Sequence, residues 1–245
     1  PVTYYQNNVT GTANLLEIAL ENGWHRVVFS STAAIYGNPL TDRITEDHPK
    51  VPINVYGQTK LTVENLLQAT CEASPLTAVC LRYFNAAGAA EDASLGEDHD
   101  PETHLIPNAL KAASGAGQPL TIFGQDYPTP DGTCVRDYIH VQDLADAHLR
   151  AMNALEQQPP EGPQFDAFNL GNGVGFSVKE VFAACEDIVG QPIPHRMGQR
   201  REGDPARLVA DATRAREELG WQPRHSEIDK IVATAWAWEQ KHRSV

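Results

Sequence analysis

The sequence predicts an α/β fold with a parallel sheet, because helical patterns alternate with short apolar strands along its first third. Apolar residues recur at helical spacing over residues 9–20, and the β-branched and aromatic run at 26–30 predicts a buried strand. The same order repeats as a helical pattern over 56–70 and a strand at 77–83. Since parallel neighbours need a crossover connection, this alternation favours a parallel sheet.

The remaining chain predicts a second, smaller α/β domain. Residues 86–101 are rich in Gly, Asp and Glu without periodicity, which is typical of a long loop over a site. We place a domain transition there, with a first domain over 1–88 and a second mainly over 89–245, from which about 138–172 returns to the first. Helices are expected near 106–114 and 141–155, and a strand at 120–123. A capping box of Ser177 and Glu180 predicts another helix, which ends before Gly190.

Composition narrows the classes of partner. The chain has 245 residues and a formal net charge of −13, so its mean field would repel nucleic acid and anionic membrane surfaces. No apolar run approaches the length of a membrane span. The nine histidines show no H-x-x-x-H or Cys/His cluster, so no metal site is predicted. The four cysteines lack paired short spacings, which favours a reduced cytoplasmic setting; they are Cys71, Cys80, Cys134 and Cys185.

The strongest local signal is Tyr56-Gly57-Gln58-Thr59-Lys60, in which a phenol and an ammonium are four residues apart on a predicted helix. A neighbouring cation would lower the phenol pKa from its usual ~10, as a general base requires. The same pair also describes an exposed Tyr packed on a Lys stem. The upstream strand ends in Ser30-Ser31-Thr32, which places hydroxyl groups at the carboxyl edge of the sheet, where α/β proteins bind ligands.

Five ordered motifs carry a family resemblance that covers essentially the whole chain. They are S-S-T-A-A-I-Y-G at 30–37, Y-G-Q-T-K at 56–60, L-R-Y-F-N at 81–85, G-T-C-V-R-D-Y-I-H-V at 132–141 and R-E-G-D at 201–204. Together they resemble the extended short-chain dehydrogenase/reductase family that acts on nucleotide sugars, and the last two resemble its UDP-glucose 4-epimerases. The resemblance implies a partial Rossmann-type sheet over 1–88 and a substrate-binding domain after it. It also implies the interconversion of UDP-glucose and UDP-galactose in galactose metabolism, with NAD as cofactor.

The resemblance assigns a role to each residue of the expected catalytic site. Tyr56 would be the acid/base, Lys60 would lower its pKa and bind the nicotinamide ribose, and Thr32 would hydrogen-bond the reacting 4-hydroxyl. Asn7 and Phe84 would contact NAD. Thr32 read alone is also a strand-end residue that caps a turn.

A larger set of residues is expected to bind the UDP-sugar. Arg136 and Arg201 are candidates for its diphosphate, because a planar guanidinium matches phosphate oxygens and supplies local positive charge in an acidic chain. Leu208 matches a family position at which the bulk of the side chain controls acceptance of N-acetylated sugars. Ordinary packing of a strand residue explains Leu208 equally well. His104 is either a substrate contact or a helix-start residue. The resemblance adds Asn85, Thr121, Ile122, Phe123 and Asp204.

Other readings of the chain stay open. Dehydratases of the same family carry an Asp-Glu pair where this chain has Ala33 and Ala34, which favours an epimerase. Relatives begin with a strand and a Gly-rich turn that binds the NAD pyrophosphate. By this resemblance, roughly ninety N-terminal residues that include these elements are expected to be absent from the sequence. A UDP-sugar-binding protein without activity therefore remains an alternative. The resemblance also implies a homodimer, to which an apolar helix face of Val63, Leu66 and Leu67 could contribute, although that face fits internal core equally.

Overall fold

A computed structural model describes residues 1–157, 164–201 and 203–243 of the chain. The helices are α1 (Val2–Tyr4), α2 (Gly11–Glu21), α3 (Val55–Ala73), α4 (Leu105–Ala113), α5 (Val141–Gln157), α6 (Val178–Val189), α7 (Thr213–Glu218) and α8 (Ile228–Arg243). The strands are β1 (Arg26–Ser30), β2 (Thr77–Tyr83), β3 (Asn85–Ala87), β4 (Leu120–Phe123), β5 (Val135–His140), β6 (Phe165–Leu170), β7 (Gly175–Ser177), β8 (His195–Gly198) and β9 (Arg207–Leu208). None of the helices in these ranges is both long and apolar enough to cross a membrane.

The predicted helices and strands are present, with small shifts at their ends. The helix expected over 9–20 begins earlier, because a π-helical turn at Tyr5–Thr10 precedes α2. The helix expected over 56–70 is α3, whose cap Asn54 accepts a hydrogen bond from the Gly57 backbone. The capping box at the start of α6 is confirmed, and that helix ends at Gly190 in the left-handed conformation.

One compact unit comprises Pro1–Phe84, Ala145–Gly171 and Ala210–Gln222. Its parallel sheet has the strand order β1-β2-β6, so β1 is an edge strand among the residues described. Val63 and Leu67 of α3 are fully buried in its core, and Leu66 packs against that core. The apolar face of α3 is therefore internal core, the second of the two readings left open by the sequence.

The segment Ala210–Gln222 belongs to this first unit, whereas the sequence assigns it to the second domain. Two contacts explain the difference. Ile44 and Ala210 form a parallel bridge, and the Arg214 guanidinium pairs with Asp166 on β6 at 3.0 Å. Neither contact has a local sequence signal, since the partners are far apart in the chain.

The other compact unit comprises Asn85–Leu144, Asn172–Val209 and Pro223–Val245. Strand β5 lies at the centre of a four-stranded sheet and pairs with β3, β7 and β9, while β4 and β8 form a separate parallel pair. The core of this unit lies between these strands and α4, α6 and α8; it includes Ile106, Leu110, Ile122, Val181 and Ile231.

A buried histidine makes the stability of the second unit depend on pH. His140 is fully buried; its Nδ1 accepts from the Gln142 backbone at 3.1 Å, so Nε2 carries the proton and donates to Thr234 Oγ1 at 2.9 Å. Burial, followed by the nearby charge of His225, lowers the pKa of His140 to about 4. The folded protein therefore keeps the imidazole neutral between about pH 6.5 and 4, where the unfolded chain binds a proton.

We expect the stability from this histidine to be present above about pH 6.5 and to be lost as the pH falls towards 4. Urea unfolding at pH 7 and pH 5 measures the difference. In His140→Gln the free energy of unfolding should fall less between pH 7 and pH 5 than in the wild type, because an amide can keep both hydrogen bonds without titrating. The exposed His25→Gln variant is the control. An unchanged pH dependence in His140→Gln would contradict this account.

Candidate active site

Two elements of the first unit bring Thr32, Tyr56 and Lys60 together. Strand β1 ends at Ser30, and Thr32 caps the short 3-10 turn that follows, accepting from the Ala34 backbone at 3.1 Å. Tyr56 lies in the first turn of α3, with its phenol next to the side chain of Thr32. Lys60, one helical turn further on, donates to the Ser30 carbonyl oxygen at 2.9 Å. The arrangement holds a phenol, a hydroxyl and an ammonium at one sheet edge.

This close approach requires glycine at position 57. A Cβ on Gly57 would lie 2.4 Å from the Ala34 carbonyl oxygen, so no other residue fits there without a shift of the backbone. The glycine in Y-x-x-x-K therefore lets the first turn of α3 pack directly on the turn that carries Thr32.

The electrostatics of Tyr56 differ from the sequence-based expectation. Burial raises the pKa of the phenol; the nearby Tyr83 adds to the rise, and the hydrogen bond with Thr32 opposes it. The Lys60 ammonium lies over the Tyr56 ring, 5.7 Å from its centre, and donates to the Ser30 carbonyl oxygen. Partial burial also lowers the pKa of Lys60. The expected lowering of the phenol pKa by Lys60 is thus not a property of this structure.

A buried polar network, which sequence reasoning missed, fixes the loop that carries Thr32. Ser31 donates to Glu64 Oε1 at 2.5 Å, and Glu64 pairs with Arg82 at 2.7 Å, both side chains being 2% exposed. Arg82 also donates to the Tyr36 hydroxyl at 3.0 Å, and Tyr36 donates to Asn169 at 2.7 Å. Ser31, Tyr36 and Arg82 all lie within the quoted motifs, but only the folded chain shows that they meet.

The two further residues expected to contact NAD also lie in the first unit. Asn7 is exposed in the π-helical turn and donates to the Asn8 side chain at 3.1 Å. Asn8 in turn donates to Thr59 Oγ1 at 3.0 Å, which fixes this turn against α3. Phe84 is partly buried between β2 and β3.

The second unit contains a cavity of about 290 Å³. Residues expected to bind substrate form much of its wall; they are Asn85, His104, Thr121, Phe123, Arg136, Arg201 and Asp204. Cys134 and Tyr138 also line it, which the sequence analysis did not foresee. Tyr138 lies on β5 and Cys134 immediately precedes that strand, each two residues from Arg136, and the stretch G-T-C-V-R-D-Y was the signal that could have included them.

Two residues expected at the substrate lie elsewhere. Ile122 is 2% exposed and packs in the core, because alternate residues of β4 face opposite sides and Thr121 and Phe123 take the cavity side. Leu208 pairs with Arg136 across β9 and β5 but is not among the residues that line the cavity in the described part of the chain.

The charged groups of the cavity are arranged around one partly buried ion pair. The Arg136 side chain, 10% exposed, donates to the Val135 carbonyl oxygen at 2.7 Å and pairs with Asp204. The Arg201 guanidinium lies 4.1 Å from the centre of the Phe123 ring and has no ion-pair partner within the described ranges. Asp204, expected at the substrate, thus holds Arg136, while Arg201 is open to an anion. Glu202 of the same motif lies outside the described residues.

Comparisons with known proteins agree with this arrangement. Residues 1–171 match the family described as the NAD dependent epimerase/dehydratase family. The chain is 49% identical to the UDP-glucose 4-epimerase of Halalkalibacterium halodurans, over 99% of this chain and 71% of that protein.

Solved structures give the same result. The UDP-glucose 4-epimerase of Brucella ovis in complex with NAD matches 97% of this chain and 72% of its own at 46% identity, with a TM-score of 0.92. The UDP-glucose 4-epimerase of Bifidobacterium longum in complex with NAD+ and UDP matches 99% of this chain and 72% of its own at 40% identity, again with a TM-score of 0.92.

Proposed function

Since the chain belongs to the NAD-dependent epimerase/dehydratase family, we propose that it interconverts UDP-glucose and UDP-galactose by oxidation and re-reduction at sugar C4. The observation that carries the proposal is the cluster of Thr32, Tyr56 and Lys60 at the end of β1, in a chain 49% identical to a UDP-glucose 4-epimerase. These side chains supply what an alcohol oxidation requires of a protein: a base at the hydroxyl, a hydrogen-bonding partner and a cation.

The residues of the first unit fit NAD. Lys60 makes one hydrogen bond among the described residues, to Ser30, and an ammonium has three hydrogens to donate, so two can reach ribose hydroxyls. Tyr56 is 36% exposed, so the residue is accessible in part to a ligand. When bound, NAD supplies a hydride acceptor that later returns the hydride to C4. Asn7 and Phe84 complete the proposed contacts.

Tyr56 removes the proton from the 4-hydroxyl and returns it once the sugar has turned over, while Thr32 holds the reacting oxygen by a hydrogen bond. The raised pKa of Tyr56 means that its deprotonation needs a cation close to its hydroxyl. Lys60 is one helical turn away with its ammonium on the Ser30 carbonyl oxygen, so the oxidised nicotinamide of bound NAD would have to supply that charge together with it. The configuration at C4 inverts and no net oxidation results.

The cavity of the second unit binds the UDP group in this proposal. Arg201 pairs with the diphosphate, since its guanidinium is oriented by Phe123 and free of carboxylates among the residues described. Arg136, held by Asp204, contributes a second positive charge at the wall. Asn85, His104 and Thr121 supply polar contacts to the rest of the ligand.

A dehydratase is the second candidate, and the turn after Thr32 disfavours it. Ala33 and Ala34 occupy the positions of the dehydratase acid and base and have no group that titrates. A protein that binds UDP-sugars without turnover is the third. Conversion of UDP-galactose by the protein, with NAD+ present, separates the three: the epimerase forms UDP-glucose, the dehydratase forms a 4-keto-6-deoxy sugar, and the binding protein forms neither.

We also propose a homodimer. Its support is a pair of exposed apolar side chains on α2. Leu15 is 61% exposed and Ile18 is 50% exposed, and residues three apart on a helix are neighbours on its surface. Light scattering tests this proposal: a mass of twice one chain of the protein measured is expected, and a monomer at all concentrations would reject it.

The role of Arg201 gives a prediction with a matched control. Arg201→Ala should raise KM for UDP-galactose by about 10- to 100-fold with a small effect on kcat, because a charge-assisted contact to the substrate contributes about 1.5–3 kcal/mol. Arg200→Ala removes the adjacent guanidinium, which pairs with Asp126 at 2.6 Å, and should leave KM near the wild-type value. Equal KM values in the two variants would show that Arg201 does not bind the diphosphate.

A further inference from the structure

Four side chains in and after the loop that precedes α4 converge in the second unit, and we propose that they form a binding site for a divalent transition metal of the zinc class. They are Glu97, His99, Glu102 and His104, and one ligand atom from each lies within 4.8 Å of the others. His99 Nδ1 lies 2.8 Å from Glu97 Oε1 and His104 Nδ1 lies 3.0 Å from Glu102 Oε1, while His104 also contacts Glu97.

The donor set selects the kind of ion. Two imidazole nitrogens and two carboxylate oxygens are ligands that Zn²⁺ takes in four-coordinate sites, whereas Mg²⁺ and Ca²⁺ prefer oxygen ligands throughout. Two carboxylates with two neutral imidazoles also leave a charge of about −2, which one Zn²⁺ neutralises. Binding of Zn²⁺ to these donors involves no change of oxidation state.

Glu102 gives a second and independent indication of a cation. Its side chain is 5% exposed, and Oε2 is buried without a hydrogen-bond donor among the described residues; its ion-pair partner, Lys111 Nζ, is 3.9 Å away, beyond hydrogen-bond distance. The other oxygen is fixed, since the backbones of Thr103 and His104 donate to Oε1 at 2.7 and 2.8 Å. A buried carboxylate oxygen without a donor is costly, and a bound cation offsets that cost.

The backbone of the loop is held in place by α8. Trp238 donates its indole N–H to the Glu97 carbonyl oxygen at 2.9 Å. Gly96 packs on the same indole so closely that a Cβ there would lie 2.3 Å from the ring. Ala89 is anchored in the same way, because its backbone donates to Thr234 at 3.2 Å. Glu97 is therefore positioned before any ion binds, as a site with fixed supporting contacts requires.

The position of the site suggests what the metal does. His104 caps the start of α4 and also lines the cavity of the second unit. A metal on its Nδ1 would fix the imidazole and the adjacent stretch Thr103-His104-Leu105 of the cavity wall. This last step rests on the proposed function of the cavity, whereas metal binding itself does not.

Metal binding is tested on the full-length protein, freed of any affinity tag and treated with chelator. Calorimetric titration with ZnCl2 and metal analysis after gel filtration should give one zinc ion per chain, and zinc should raise the thermal unfolding temperature. MgCl2 at the same concentration should do neither. A wild-type protein that retains no zinc and shows no shift would overturn the proposal, the two histidines then being simple hydrogen-bond partners of the glutamates.

Variants separate ligand loss from misfolding. His99→Ala and Glu97→Gln should weaken zinc binding by roughly a hundredfold or more, because even groups outside the ligand shell cost 10- to 100-fold when changed. Their unfolding temperature in chelator should equal that of the chelator-treated wild type. Asp98→Asn, between the ligands but paired with His242 at 3.4 Å, is the matched control and should bind zinc normally. Equal zinc affinity in His99→Ala and Asp98→Asn would reject the site whether or not the protein turns over UDP-sugars.

Discussion

Replacing Tyr56 by Phe should lower kcat for UDP-galactose by about 10²- to 10⁴-fold, the range contributed by a positioned acid/base. The variant loses one oxygen atom, and the ring keeps its packing on α3. KM should change little, because we propose that the UDP group binds at the cavity of the second unit rather than at Tyr56. Steady-state kinetics of the full-length protein with NAD+ measures both constants.

Tyr4 provides the control for this variant. Its ring meets the Tyr56 ring edge to face, with centres 6.5 Å apart, but its hydroxyl has no proposed part in the reaction. Tyr4→Phe should therefore retain kcat within a small factor. Comparable losses in the two variants would mean that the hydroxyls matter to local structure and that Tyr56 is not the acid/base.

The largest effect on stability is expected at Glu64. Glu64→Gln removes the carboxylate that pairs with Arg82 at 2.7 Å and leaves a guanidinium buried without its counter-ion. The free energy of unfolding should fall by about 3–5 kcal/mol, as for other buried pairs that lose one partner. Glutamine keeps only one oxygen acceptor, for which Ser31 and Arg82 would compete, so the loop that carries Thr32 should become less ordered. Chemical denaturation at neutral pH measures the loss.

A surface pair shows whether burial is the cause. Asp146 and Arg150 are four residues apart on α5 and pair at 2.6 Å, with the Arg150 and Asp146 side chains 33% and 42% exposed. Asp146→Asn should cost no more than about 0.5 kcal/mol. If Glu64→Gln cost as little as Asp146→Asn, the Glu64–Arg82 pair would not hold the active-site loop in place.

The order of secondary structure could be predicted because its signals are local. Periodicity located α3 and β2 to within three residues at each end, and the Ser177–Glu180 capping box marked the start of α6. The assignment of Ala210–Gln222 failed for the opposite reason. Its place in the first unit depends on the Ile44–Ala210 bridge and the Arg214–Asp166 pair, which join distant parts of the chain.

The candidate site likewise has features that the sequence could predict and features that depend on the folded chain. The motifs indicated Thr32 and Arg136, which lie after the end of β1 and in the cavity wall, and Tyr56, which lies on α3 next to Thr32. They did not give the direction in which Lys60 points, so the effect on the Tyr56 pKa was mistaken. Motif membership also favoured Ile122, which the alternation of β4 turns into the core.

The cluster around His99 and His104 was beyond sequence reasoning. The two histidines are five residues apart, a spacing that matches no helical or ribbon metal motif, and the glutamates alternate with them in a loop without periodicity. Their convergence depends on Gly96 packing against Trp238, which lies far along the chain on α8. Only the fold of the second unit brings the four donors together.

Epimerisation in D2O tests the central claim most directly. The full-length protein is incubated with UDP-galactose and NAD+, and the UDP-glucose formed is examined by mass spectrometry and proton NMR. Because the hydrogen removed from C4 returns to C4 within the same site, the product should carry no deuterium on any sugar carbon. Deuterium on the sugar ring, or release of a 4-keto-6-deoxy sugar in place of UDP-glucose, would contradict the reaction proposed for Tyr56, Thr32 and Lys60.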